Sequence, residues 1–259
     1  SDVCSSDLRM TAVFLAVSTT AASILMPATG IYAAETAAAT QNTQAAQTTQ
    51  NSQNTQTTKN TQEYDWPQAP DIVAQSAILI DADTGAILYE KDAHAKGYPA
   101  STTKILTGLL TIENCGLDET VTFSSAAANS VTYEDASLGT KAGEQYSVEQ
   151  ALYGLLLYSA NEIAYGLAEH VSGSLAAFTE LMNKRAKELG AINTHFANAS
   201  GLHDVNHYTT AYDMAMIAKG CYNNSTFVNI DSTSTTYTIP PTNKTDTARN
   251  FKHRHLMLK

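Results

Sequence analysis

A serine and a lysine three residues apart, Ser101 and Lys104, carry the first chemistry in this sequence. A serine hydroxyl is a poor nucleophile without a nearby base, and a lysine protonated at neutral pH cannot act as that base. The apolar residues Ile105, Leu106, Leu109, Leu110 and Ile112 follow helical spacing and predict a helix beginning near Ser101. Such a helix sets Ser101 and Lys104 one above the other on a single face. In its first turn, desolvation and the positive end of the helix dipole disfavour the ammonium, while the same dipole favours an alkoxide at Ser101. That makes a workable nucleophile and base. The competing reading has Ser101 capping the helix and Lys104 solvated. A second polar triplet, Ser159-Ala160-Asn161, separates two apolar helical stretches. Its side chains either project into a cleft or satisfy free helix ends.

The elements that must position these residues follow from local signals. Short apolar runs at 77–80 and 86–89, joined by Asp81-Ala82-Asp83-Thr84-Gly85, predict a hairpin with Gly85 at a positive φ. Val121-Thr122-Phe123 reads as a short strand. Ser147 with Gln150 forms a capping-box pattern before a helix that carries Ala151, Leu152, Leu155 and Leu156 inward. A further helix is expected over 162–170. Ser174 caps another over 175–189, which Gly190 ends, and Thr209 or Thr210 starts one after the stretch 196–204. Beyond Asn223 the chain is rich in Ser, Thr and Asn, with one strand-like piece at 236–239.

The chain has 259 residues, a formal net charge of -10, 43% hydrophobic residues and three cysteines, enough for one good-sized core with tails. The acidic balance argues against a nucleic-acid partner. Residues 1–9 read as a sequencing or cloning artefact joined to the remnant of a basic n-region, so Cys4 is set aside. Residues 10–34, apolar or small and ending in Ile31-Tyr32-Ala33-Ala34, read as a secretory signal peptide. Pro27 and Gly30 interrupt the stretch, which weakens a transmembrane anchor as the rival. Residues 35–63, almost all Gln, Asn, Thr, Ala and Ser, read as a disordered linker. The folded part is expected over 64–259.

Taken together, Ser101-x-x-Lys104 followed by Ser159-x-Asn161 resembles the penicillin-recognising serine enzymes in order and approximate spacing. The runs Pro99-Ala100-Ser101-Thr102-Thr103-Lys104, Tyr158-Ser159-Ala160-Asn161-Glu162 and Asn198-Ala199-Ser200-Gly201-Leu202-His203-Asp204 are similar to one branch, the D-alanyl-D-alanine carboxypeptidases. The resemblance covers about residues 66–259. It implies an α/β fold of the α+β type, an antiparallel sheet flanked by helices, with catalysis by Ser101, Lys104, Ser159 and Asn161. Ser101 would attack the carbonyl between the last two D-alanines of a peptidoglycan stem peptide, and Lys104 would take its proton. Ser159 would relay a proton to the departing amine, and Asn161 would orient Lys104 and the substrate amide. The Ser101 N–H would supply half an oxyanion hole. The resemblance implies no metal or organic cofactor, acylation by β-lactam antibiotics, and action outside the cytoplasmic membrane. It also implies membrane association through a C-terminal segment that this chain lacks.

The family's third motif, Lys-Thr-Gly, does not occur in the sequence. The chain is therefore expected to stop just before it, leaving the sheet incomplete and this fragment inactive. A class A β-lactamase would need a deacylating glutamate in an E-x-x-L-N segment, against which Glu180-Leu181-Met182-Asn183 has its Asn one place early. A non-catalytic wall-binding protein would explain the linker but not the four polar residues. His203 and His207 are set aside as metal ligands, since Gly201 and Asp204 suggest a loop. His253 and His255 read as surface residues of a basic strand, and Glu113 and Glu162 as helix-surface carboxylates. Asp213 either helps to position the site or bonds a helix end. Cys115 and Cys221 either pair or stay free, with two free thiols favoured by their separate helix ends.

Overall fold

In the computed structural model, which describes residues 15–17, 69–132 and 135–254, the expected hairpin forms beside an additional strand. Strand β1 (Leu15–Val17) runs antiparallel to β2 (Ser76–Ile80), and β2 runs antiparallel to β3 (Ile87–Lys91). Asp81 closes the connecting turn by accepting from the Thr84 N–H at 2.7 Å and its hydroxyl at 2.6 Å, and Gly85 takes φ 78° as expected. Leu15–Val17 are the three described residues of the stretch read as a signal peptide. The rest of that stretch, residues 1–9 and the linker lie outside the described residues. Residues 1–19 and 72–259 form one compact unit, and of the second unit, 20–71, only residues 69–71 are described.

A 3₁₀ turn, Ala100–Thr103, leads into helix α1 (Lys104–Asn114), and β4 (Thr120–Thr122) and the short α2 (Ser125–Ala128) follow. Strand β5 (Gln145–Ser147) pairs antiparallel with β4, Val121 opposite Tyr146. Then come α3 (Val148–Tyr158), α4 (Asn161–Ser172), α5 (Leu175–Glu188), α6 (Ala211–Tyr222) and α7 (Ser225–Asp231). An antiparallel pair, β6 (Tyr237–Ile239) and β7 (Arg249–Phe251), ends the described chain. The class is α+β as expected, although the strands are distributed over three small antiparallel sheets among the described residues.

Burial explains the order. Leu106, Leu109 and Leu110 of α1 enter one core with Leu152 and Leu155 of α3, Ile163 and Leu167 of α4, and Phe178 and Met182 of α5. Helix α1 is thus surrounded, and whatever side chain leaves it inward is desolvated. Among the described residues no helix is long and apolar enough to cross a membrane.

The expected caps form. Ser147 accepts from the Gln150 N–H at 3.1 Å while the Ser147 N–H donates to Gln150 Oε1 at 2.9 Å. Ser174 and Thr210 cap α5 and α6. Ser147→Ala removes one of two reciprocal bonds, and unfolding in urea should show a loss of about 1 kcal/mol with an unchanged slope. Helix α7 is a correction to the polar tail expected after Asn223. Asn224 caps it by accepting from the Phe227 N–H at 3.0 Å, and Phe227 and Ile230 bury its inner face.

Candidate active site

The segment Pro99–Lys104 turns tightly to enter α1. Ala100 adopts φ 48°, a left-handed conformation unusual for a residue with a Cβ. Ser101 lies in the 3₁₀ turn and the α-helix proper begins at Lys104, three residues later than the spacing predicts. At about three residues per turn, a 3₁₀ helix eclipses side chains at i and i+3, so the tighter turn brings the two groups together. Lys104 Nζ donates to Ser101 Oγ at 3.2 Å and to the Ser200 carbonyl at 2.7 Å. Ser101 is exposed while Lys104 is only 2% exposed. The solvated-lysine reading is overturned.

Burial of the ammonium among the helices pushes Lys104 down from its ordinary value to about 7; the negative charges of Glu162 and Asp135 partly offset this, and Arg254 adds to it. Near neutral pH a large fraction is free amine, able to accept a proton from the hydroxyl it touches.

The loop 197–207 clamps this pair from the other side. Thr107 Oγ1 donates to the Ala199 carbonyl at 2.7 Å. Asn198 Oδ1 accepts from the N–H groups of Ser200 and Gly201 at 3.1 and 2.7 Å, fixing the carbonyl that receives Lys104. Gly201, at φ 87°, lies so close to the nucleophile turn that a Cβ there would stand 1.8 Å from the Ala100 carbonyl oxygen. His207 Nδ1 accepts from the Ala197 N–H at 3.1 Å, so Nε2 carries the proton toward Thr103 Oγ1, 2.8 Å away. Burial holds His207 neutral, pushed down to about 4. Both its nitrogens are engaged, and His203 is an exposed ring edge-on to Tyr98.

Ser159 and Asn161 sit where α3 hands over to α4. Ser159 ends α3 at φ 65°, and Asn161, buried, opens α4 with its N–H on the Ala136 carbonyl at 2.8 Å. The contact between Ser101 and Lys104 is direct; Ser159 and Asn161 lie at the junction of α3 and α4, the two helices that pack on α1. Arg254 covers the end of α3, its N–H on the Leu157 carbonyl at 3.0 Å and its guanidinium 5.3 Å from the Tyr158 ring centre.

Several other expectations change. Glu162 is fully buried rather than on a helix surface, and accepts from the Leu138 N–H at 2.7 Å. Glu113 does face outward, paired with Arg185 at 2.7 Å. Asp213 is buried and accepts from the Asn193 N–H at 2.6 Å and Thr194 Oγ1 at 2.7 Å, so its carboxylate ties α6 to the connection that follows α5 and does not bond a helix end. Asn183 holds the Phe196 backbone through both its amide atoms, and Glu180 is exposed, so the segment does not resemble a deacylating site. Cys115 and Cys221 are both free thiols. Cys115 lies near the ion pair of Glu119 and His170, whose carboxylate is already engaged by the Gly116 N–H at 2.6 Å and by His170 at 3.1 Å. His253 is largely buried against Asp231, and His255 lies outside the described residues. Three contributions had no signal in the motif spacing: the Ser200 carbonyl, the Thr103–His207 link and the burial of Glu162. The run 198–204 did mark the first of them.

Solved structures with a similar fold include a DD-transpeptidase, a D-alanyl-D-alanine carboxypeptidase and a penicillin-binding protein. A mutant of the Streptomyces K15 DD-transpeptidase shares 30% identity with a TM-score of 0.69, over 74% of this chain and 78% of that one. The D-alanyl-D-alanine carboxypeptidase of Mycobacterium tuberculosis H37Rv shares 30% identity with a TM-score of 0.67, over 74% and 70%. The fold is therefore that of the penicillin-binding transpeptidases. The sequence profile of the D-alanyl-D-alanine carboxypeptidases matches residues 62–256, and the chain belongs to that family. The D-alanyl-D-alanine carboxypeptidase DacF of Bacillus subtilis (strain 168) is 40% identical over 151 residues, which are 56% of this chain and 38% of that protein. The chain thus spans well under half the length of this curated relative.

Proposed function

We propose that the full-length gene product is an exported serine-type D-Ala-D-Ala carboxypeptidase that trims peptidoglycan stem peptides and is acylated by penicillins. The observation that carries this reading is the 3.2 Å contact between Ser101 Oγ and a buried Lys104 held near neutrality. The free amine of Lys104 takes the hydroxyl proton as Ser101 Oγ attacks the penultimate D-alanine carbonyl. The resulting oxyanion takes a hydrogen bond from the Ser101 N–H at the mouth of α1, where the helix dipole adds to the stabilisation. Ser159 passes a proton to the departing D-alanine nitrogen, Asn161 orients Lys104 and the peptide amide, and water releases the shortened peptide. A signal peptide over 10–34 and a linker over 35–63 suit an enzyme whose substrate lies outside the cytoplasmic membrane.

Intact mass of the full-length gene product after incubation with benzylpenicillin, beside Ser101→Ala, tests the assignment. A stable adduct on the wild type and none on the variant is expected. An adduct that persists in Ser101→Ala removes Ser101 from the mechanism. No adduct on the folded wild type favours a wall-binding protein, and rapid turnover of the drug favours a β-lactamase.

A further inference from the structure

Glu162 has no part in the mechanism above, yet it is fully buried one residue after Asn161. Its Oε1 gathers the 138–140 segment, accepting from the Leu138 N–H at 2.7 Å, Thr140 Oγ1 at 3.2 Å and the Thr140 N–H at 3.5 Å. The Asn161 N–H holds the same segment at Ala136, and the Arg249 guanidinium holds the Leu138 carbonyl at 2.9 Å. Thr140 continues the network to the Tyr146 hydroxyl at 3.2 Å. The other carboxylate oxygen, Oε2, is buried without a hydrogen-bond partner.

An unpartnered buried carboxylate oxygen is costly unless a positive charge compensates it. Of the cations nearby, Arg249 is already paired with Glu144 at 2.8 Å, while Lys104 is buried on α1, the helix against which α4 packs. The other charged groups acting on Lys104 are Asp135, at the start of the same loop, and Arg254, which opposes both acids. Tyr146, Arg249 and Glu144 complete the ionisable surroundings of the network.

We propose that Glu162 is a positioning residue for the chemistry at Ser101, tying the 136–140 segment to the helix that carries Asn161 while its charge holds Lys104 by attraction through the buried interior. The proposal rests on the serine–lysine reading only in naming Lys104 as the group acted upon. It makes loop order and the state of the base two readings of one carboxylate. Losing its charge releases the loop and, by removing a negative neighbour, favours the neutral amine of Lys104.

The test uses the full-length gene product with isotope-labelled lysine side chains, comparing wild type, Glu162→Gln, Glu162→Asp and the exposed control Glu188→Gln. In Glu162→Gln, amide exchange at Leu138 and Thr140 should quicken about tenfold, as expected for loss of a charge-assisted bond. The Lys104 titration midpoint should fall by about half a pH unit or more. Glu162→Asp should restore the midpoint while leaving the loop exposed, and Glu188→Gln should move neither. An unchanged midpoint, or unchanged exchange at both amides, overturns the proposal. Should Glu162→Gln fail to fold, Thr140→Val removes one partner of the carboxylate and must quicken exchange at Leu138; no change there overturns it equally. Neither readout needs acylation, so a missing penicillin adduct strikes the enzyme reading alone.

Discussion

Acylation of Ser101 by benzylpenicillin should fall about a thousandfold when Lys104 is replaced by methionine, the scale a positioned general base supplies. Methionine fills the same volume without a proton acceptor, so the Ser101 hydroxyl loses the group 3.2 Å away that would ionise it. The pH profile carries the same information in the wild type. In the proposed mechanism the base is the free amine, and burial brings Lys104 down to about 7. The second-order acylation rate should therefore rise with pH, tenfold per unit at most, and level off above about pH 7. An ordinary lysine would keep rising toward about pH 10. A flat profile from about pH 5 to about pH 9 would remove Lys104 as the base.

The stability of Lys104→Met should move opposite to its activity. Between the folded value of about 7 and the ordinary 10.5, the unfolded chain binds the Lys104 proton more readily than the folded one. Stability therefore rises with pH through that window, and the burden of a buried ammonium is fully present below it. Lys104→Met removes this burden. The variant should melt at a higher temperature than the wild type at about pH 6, and the difference should shrink as the solution is made alkaline. Inactivity with raised stability separates a lost base from a damaged fold.

Gly201→Ala should be the most damaging single-methyl change in the site. Its φ of 87° is strained for any residue with a Cβ, and the new carbon would lie 1.8 Å from the Ala100 carbonyl oxygen and 3.0 Å from the Ser101 nitrogen. One of the two backbones must retreat. If the Ala100 peptide turns, the Ser101 N–H and Oγ leave their positions together. If the loop retreats, the Ser200 carbonyl abandons Lys104. Displacement of about 1 Å suffices for a hundredfold loss of acylation rate, and the strain and lost packing should remove about 2 kcal/mol or more of stability. Thermal melting and adduct formation measured on the same sample check both. A variant with wild-type acylation would show that the clamp does not hold the nucleophile.

Much of this was legible where the signal is local. Ser147, Ser174 and Thr210 announce their helices because a cap and its partner lie within one turn. The Asp81–Gly85 turn is similarly self-contained. Spacing alone pairs Ser101 with Lys104, whereas the tighter 3₁₀ turn that joins them has no residue type to mark it. Helix α7 was hidden because Ser, Thr and Asn dominate its surroundings, and only the pair Phe227 and Ile230 shows an inner face. In the sequence Glu162 reads as a helix-surface carboxylate because a helix surface is where a glutamate ordinarily stays. What buries it is a segment more than twenty residues earlier in the chain, folded back over it. The Ser200 carbonyl has no residue code as a backbone acceptor, and only the run 198–204 pointed to the loop that carries it.

The left-handed backbone at Ser159 has an evolutionary consequence. Only glycine adopts φ 65° freely, and an L-residue there forfeits about 1–2 kcal/mol. Under drift governed by thermal robustness alone, this junction would move to glycine within few substitutions. A serine in a place that disfavours it is what the proton relay proposed for Ser159 would require selection to maintain. Lineages that abandon the activity should lose it here early, before the buried leucines around α1 begin to change.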